Sequence, residues 1–163
     1  NDGLVNYVLV NLGILDKPYN FLTQPFAAKM VIILALLWRW TGYNMVFFLS
    51  GLQNIEYSVY EAAKIDGASA IQTFFKITVP LLKPTILLTA IMSTNGTLQL
   101  FDESINLTDG GPANASISMS HYIYNLCFKY VPNFGYAAAM SFFILLLVAV
   151  LAFIQMRVGD KRD

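Results

Sequence analysis

Charge is what this chain has least of. Asp, Glu, Lys and Arg make up 12% of its 163 residues, about half the ~25% of an ordinary soluble domain. A water-exposed globule of this size would lack polar cover. Acids and bases balance at ten each, so no global field favours nucleic acid as a partner. The single cysteine, Cys127, excludes an internal disulfide or a cysteine metal cluster and reads as a small buried hydrophobe. The single histidine, His121, has no companion at metal-ligand spacing. There is no Gly-x-x-x-x-Gly-Lys-Ser/Thr loop to cradle a nucleotide, and no Ser/His/Asp or Cys/His arrangement is recognisable. The sequence therefore predicts no catalytic residue, metal or cofactor in this chain. The opening Asn1-Asp2-Gly3-Leu4 also lacks the basic and apolar regions of a signal peptide. The chain reads as the C-terminal part of a longer membrane protein.

What is abundant is apolar residues in long blocks. Hydrophobic residues reach 56%, and crossing a bilayer takes ~20 of them in sequence. Three stretches are long enough: 26–52, interrupted by Lys29 and Arg39; 79–101, with Pro80, Lys83 and Pro84 near its start; and 136–156, which has no charge. Prolines suit a helix start, where the first turn needs no intrahelical N–H bond. Ahead of these spans, Leu4, Val5, Val8, Leu9 and Leu12 recur at helical spacing before Gly13, Asp16, Pro18 and Pro25 break the pattern. Residues 1–25 thus fit an amphipathic segment, lying either on the membrane surface or on the protein's own apolar flank. The expected fold is all-α, a polytopic transmembrane helical bundle.

Basic residues favour the cytoplasmic side of a membrane. The polar island at 56–78 and the entry to the second span carry Lys64, Lys76 and Lys83, and the tail at 157–163 carries Arg157, Lys161 and Arg162. The segment 102–135 sets Asp102, Glu103 and Asp109 against Lys129 alone. Island and tail are accordingly expected in the cytoplasm and 102–135 outside, as two intervening spans require.

The island reads Tyr60-Glu61-Ala62-Ala63-Lys64-Ile65-Asp66-Gly67-Ala68, followed by Ile77-Thr78-Val79-Pro80. Residues 58–66 can form about two helical turns. Ala62 and Ala63 let another surface approach the backbone, Glu61 and Lys64 share a face, and Gly67 suits the helix end. Phe74 and Phe75 could anchor a second arm. Read from these residues alone, the island is either a docking helix or an ordinary glycine-capped linker. Within the spans, Arg39 near mid-membrane costs ~2.5–3.5 kcal/mol or more unless it faces a cavity or partner. Ser93-Thr94-Asn95-Gly96-Thr97-Leu98-Gln99 is strongly polar for a membrane helix. Such groups line a water-filled path or hydrogen-bond between helices, and both readings stay open.

The island closely resembles the EAA loop of ABC transporter permeases. Trp38-Arg39-Trp40-Thr41-Gly42-Tyr43-Asn44-Met45, Leu98-Gln99-Leu100-Phe101-Asp102 and Leu107-Thr108-Asp109-Gly110-Gly111-Pro112 resemble the carbohydrate-uptake branch, with a MetI-like fold. The resemblance implies the C-terminal part of a permease, about three transmembrane helices plus a cytoplasmic coupling helix, in a bacterial inner membrane. Its implied partners are a second homologous permease, a dimer of cytoplasmic subunits that bind the ATP, an extracytoplasmic solute-binding protein and a sugar. It assigns ATPase coupling to Glu61, Ala62, Ala63, Asp66 and Gly67. It places Trp40, Tyr43, Ser93, Thr97, Gln99 and Leu100 on or near the transport path, which Arg39 would also line. The alternative from another class is an ion-driven sugar transporter or channel without an ATPase.

Overall fold

The structure is a computed structural model and describes residues 3–159. Among these residues every regular element is helical. Two compact units are present, one of residues 3–36 and 100–133, the other of residues 37–99 and 134–159.

In the first unit, α1 (Leu4–Asn11) is short. It is followed by turns rather than by more helix. Asn6 organises them: its Nδ2 donates to Tyr19 O and its Oδ1 accepts from Tyr19 N–H, both at 3.0 Å. One side chain thus supplies the pairing a strand neighbour would give, satisfying polar backbone that turns leave open. The long helix α2 (Pro25–Gln53) begins with proline at its first position, where no N–H is needed. Its 29 residues give ~44 Å, and it contributes residues to both units.

The segment 100–133, which holds most of the expected outer segment 102–135, is largely helical. A single π turn at Ser104–Thr108 leads into left-handed residues Asp109, Gly110 and Gly111. A short 3-10 turn at Pro112–Asn114 follows, then a helix at Met119–Tyr124 that widens into a second π turn at Asn125–Lys129. Cys127 is half-buried rather than buried, and it lies in that wider turn.

In the second unit, α3 (Tyr57–Ile65) leads through an elbow to α4 (Ala70–Leu81), whose middle, Phe74–Thr78, is a π turn. The chain then bends by 65° into α5 (Lys83–Leu98). This differs from the straight span expected over 79–101, and proline chemistry explains the bend. Pro84 has no N–H for the Pro80 carbonyl, and its ring crowds that oxygen. Leu82, at φ −82° and ψ −3°, takes up the change of direction. The 16 residues of α5 give ~24 Å, short of the ~30 Å hydrocarbon core. The last helix, α7 (Phe134–Gly159), runs past the expected end at 156 and carries Arg157 within it. Here α6 denotes Met119–Tyr124. The basic tail residues Lys161 and Arg162 lie outside the described residues.

Both α2 and α7 are long and apolar enough to cross a membrane, and the bent pair α4 and α5 makes a third crossing if it counts as one. Phe142, Phe143, Leu145, Leu146 and Val150 of α7 are all exposed. In hydrocarbon such a surface is matched to its solvent. Polar clasps join α7 to α5 instead, with Gln155 Nε2 donating to Thr94 Oγ1 at 2.8 Å.

Candidate functional site

The elbow after α3 is built by the last residues of that helix. Ala68 N–H donates to Ala63 O at 3.0 Å, and Gly67 N–H to Lys64 O at 3.2 Å. This is the paired helix ending that requires a left-handed residue. Gly67 supplies it at φ +77°. Ser69 then starts the next helix with a reciprocal cap: Gln72 N–H donates to Ser69 Oγ at 3.3 Å, and Ser69 N–H to Gln72 Oε1 at 2.9 Å. Both sides of the elbow are therefore fixed by sequence-local hydrogen bonds.

Of the five residues assigned to coupling, Ala63 alone is buried; Glu61, Ala62, Asp66 and Gly67 are exposed. Tyr60 OH meets Thr78 Oγ1 at 3.3 Å and ties α3 to the π turn of α4. The carboxylates of Glu61 and Asp66 make no hydrogen bond or ion pair among the described residues. Ile65 is 85% exposed beside them. Phe74 and Phe75 stack edge-to-face at 5.0 Å, yet both remain more than half exposed, so neither is an anchor within this chain.

The residues assigned to the path divide. Along α2 and α5 runs an antiparallel seam of close approaches. A methyl group built on Gly51 would lie 2.9 Å from both Leu82 Cδ2 and Thr85 Oγ1. Further along, Asn44 Nδ2 donates to Ser93 Oγ at 3.2 Å, and Ser93 Oγ returns a bond to Asn44 Oδ1 at 3.3 Å. Beyond that, the Trp40 ring lies against Gly96. Ser93 and its neighbour Thr94 thus act between helices, whereas Thr97 and Gln99 are exposed. Gln99 Nε2 donates to Asn95 Oδ1 at 2.7 Å, which pre-orients an amide pair. Tyr43 meets Trp40 edge-on at 5.5 Å, and the Arg39 guanidinium lies 5.8 Å from the Trp40 ring centroid, within cation–π range. Leu100 is half-buried and belongs to the first unit. Asn44 is the partner that the sequence reading missed; its spacing of four from Trp40 was the available signal.

Sequence reasoning also missed a cluster in the first unit. Ser104 and His121 are both 0% exposed. Ser104 Oγ donates to Ser116 O at 2.8 Å, accepts from Ser118 N–H at 3.2 Å and lies 2.9 Å from His121 Nδ1. Asp109 Oδ1 lies 3.7 Å from His121 Nε2 and accepts a 2.6 Å bond from Lys129 Nζ. Desolvation pushes the His121 pKa below its usual value, against the pull of Asp109. Lys129 holds the Asp109 carboxyl below the usual range by hydrogen bond and charge, and Lys129 is raised in return. Serine, histidine and aspartate do meet here, but the hydroxyl is sealed and committed. The arrangement is a strut for the Gly110-Gly111-Pro112 turn. Among the described residues, no three His, Cys, Asp or Glu side chains converge as metal ligands.

Residues 4–162 match the family described as the inner membrane component of binding-protein-dependent transport systems. The chain is 55% identical to a lactose transport system permease protein of Rhizobium radiobacter, over 99% of this chain and 55% of that one. It is 37% identical to a trehalose/maltose transport system permease protein of Thermococcus litoralis, over 98% and 53%. Its fold is similar to a chain in the crystal structure of a bacterial ABC transporter involved in import of the acidic polysaccharide alginate. The TM-score there is 0.82 at 26% identity, over 96% of this chain and 54% of that chain. The chain therefore spans about half the length of the relatives it matches. The family match over nearly every residue and the shared helical fold lead to one conclusion: this chain belongs to the inner membrane component family of binding-protein-dependent transport systems, the ABC permeases.

Proposed function

We propose that the chain forms part of the translocation path of an ATP-driven sugar importer and transmits the ATPase stroke through α3. The carrying observation is the pair of exposed carboxylates, Glu61 and Asp66, with no partner among the described residues. Glu61 sits on, and Asp66 at the end of, a helix whose C-terminus and underside are fixed by Gly67, Ala63 and Tyr60. A rigid lever with unsatisfied charge and small residues is suited to entering a basic cleft on another subunit. Lys64, Lys76 and Lys83 favour the cytoplasmic side for it, where the ATP-binding dimer would lie, and 102–135 would then face a solute-binding protein outside. A second permease would complete the path.

The sugar class is read from the relatives, two of which are named for lactose and for trehalose/maltose. The lining fits that class: exposed Tyr43, Thr97 and Gln99 offer an aromatic ring, a hydroxyl and an amide to a hydroxyl-rich ligand. Oligosaccharides are therefore the proposed cargo. The test uses the full-length permease with its partner subunits in proteoliposomes. Lactose-loaded binding protein should stimulate ATP hydrolysis, and Glu61→Lys should abolish both stimulation and lactose uptake while the complex stays assembled. Stimulation at the unaltered level in that variant would sink the proposal.

A further inference from the structure

We propose that Gly96 is a positioning residue of the transport path: its missing side chain makes the seat for Trp40, and through Trp40 it sets how sugar meets the path. The inference rests on the reading of this chain as a sugar permease. A Cβ on Gly96 would overlap Cζ2 and Cη2 of the Trp40 indole. The benzo edge of the ring thus presses directly on the α5 backbone, and even a methyl group must expel it. Gly96 differs here from Gly42, where an added Cβ meets nothing within 4 Å.

The seat governs more than one side chain. Tyr43 packs edge-on against the same indole, and the Arg39 guanidinium lies beside it. Moving Trp40 therefore unseats the surroundings of two other lining residues at once. Asn95 and Thr97, the residues on either side of Gly96 in sequence, are exposed. The seated position also carries a cost. Trp40 Nε1 is buried with no hydrogen-bond partner among the described residues, and a buried indole N–H ordinarily finds one. An expelled ring regains an acceptor, from water or from a sugar hydroxyl.

The experiment uses full-length permease assembled with its partners in proteoliposomes, with Trp40 as the sole tryptophan of the transporter for the fluorescence arm. Gly96→Ala should shift Trp40 emission to the red, expose it to iodide quenching, and lower uptake from saturating lactose-loaded binding protein by about tenfold. Trp40→Leu should also lower uptake, and Gly96→Ala/Trp40→Leu should match Trp40→Leu alone, because no ring remains to be displaced. Unchanged emission in Gly96→Ala, or additive losses in the double variant, overturns the assignment. If Gly96→Ala does not reach the membrane, the double variant decides: its return to normal levels supports the seat, and its loss overturns it. Absence of lactose uptake by the unaltered transporter would overturn the sugar reading and this assignment with it. Normal uptake with additive losses overturns the assignment alone.

Discussion

His121 Nδ1 lies 2.9 Å from Ser104 Oγ, while across the ring Nε2 faces Asp109 Oδ1 at 3.7 Å. The hydrogen-bond network assigns the proton. Ser104 spends its own hydrogen on Ser116 O, so Nδ1–H donates to Ser104, and the Nε2 lone pair points at a carboxylate. That leaves Nε2 buried without a hydrogen bond among the described residues. The strut is therefore built around a neutral imidazole, with Lys129 neutralising Asp109 from the other side.

A pH dependence follows from this geometry. Burial lowers the folded-state pKa of His121, so the unfolded chain binds its proton first, near pH ~6.5. The stabilising preference for neutral histidine is complete above that value. It is lost as pH falls through the unfolded and then the folded pKa. The carboxylate of Asp109 titrates lower, because Lys129 depresses it, and does not cancel the effect between pH 5 and 6.5, well above the usual carboxylate range of ~4. Hydrogen exchange at the amides of residues 116–122 should accelerate over that interval in the unaltered protein. In His121→Gln the same amides should exchange at a rate that does not vary with acidification beyond the intrinsic chemistry; a slope equal to the unaltered protein's would remove His121 from the account.

Ser104→Ala tests the strut without changing charge. The substitution strands Ser116 O, Ser118 N–H and His121 Nδ1 together around a fully buried position. Leaving buried groups unsatisfied costs ~1–3 kcal/mol, here confined to the 100–133 segment. Proteolysis or hydrogen exchange should detect loosening of that segment while α7 keeps its protection. Uniform loss across both units would mean that the strut acts globally.

How much of this was readable in advance depends on the range of the interaction. Gly67 and the elbow were legible, because a helix end is written in adjacent residues. The long apolar helices were legible for the same reason, since each is a continuous run. The bend at Leu82 was half legible: Pro80 and Pro84 were seen as tolerated near a helix start, yet two prolines four apart also remove a hydrogen bond between them. The His121 strut was not legible. Its members lie 12 to 17 residues apart, and the left-handed residues Asp109, Gly110, Gly111, Ala113 and Asn114 fold them onto each other. The division of the Ser93–Gln99 stretch was hidden similarly, because Asn44 lies 49 residues away.

At Gly67 the backbone alone should set the penalty. A Cβ there meets nothing within 4 Å, but φ is +77°. Gly67→Ala should therefore cost ~1–2 kcal/mol of local stability from left-handed strain, and Gly67→Asn less, since asparagine tolerates that region. If α3 is the lever, loss of lactose-stimulated ATP hydrolysis should follow the order Ala worse than Asn, with assembly retained. Equal loss in both would show that the open space, rather than the conformation, is what the partner reads.

The two open readings of the polar stretch in α5 make opposite predictions for neighbouring residues. Ser93 and Asn44 satisfy each other, so Ser93→Ala and Asn44→Ala should each destabilise by ~0.6 kcal/mol, the usual scale of an interhelical bond in membranes. Their double variant should cost less than the sum, because the pair is removed once. Lactose uptake per assembled transporter should barely change in any of the three. Among the described residues, Thr97 and Gln99 hold no bond between helices; the amide of Gln99 reaches Asn95, one turn back on its own helix. Thr97→Leu and Gln99→Leu should accordingly leave thermal stability nearly unaltered and slow uptake from saturating lactose-loaded binding protein. Measured on one set of proteoliposomes, stability and uptake should separate the pair at 44 and 93 from the pair at 97 and 99. Slow uptake in Ser93→Ala with normal rates in Gln99→Leu would reverse the roles, placing the path along the seam and the amide pair against lipid or a partner helix.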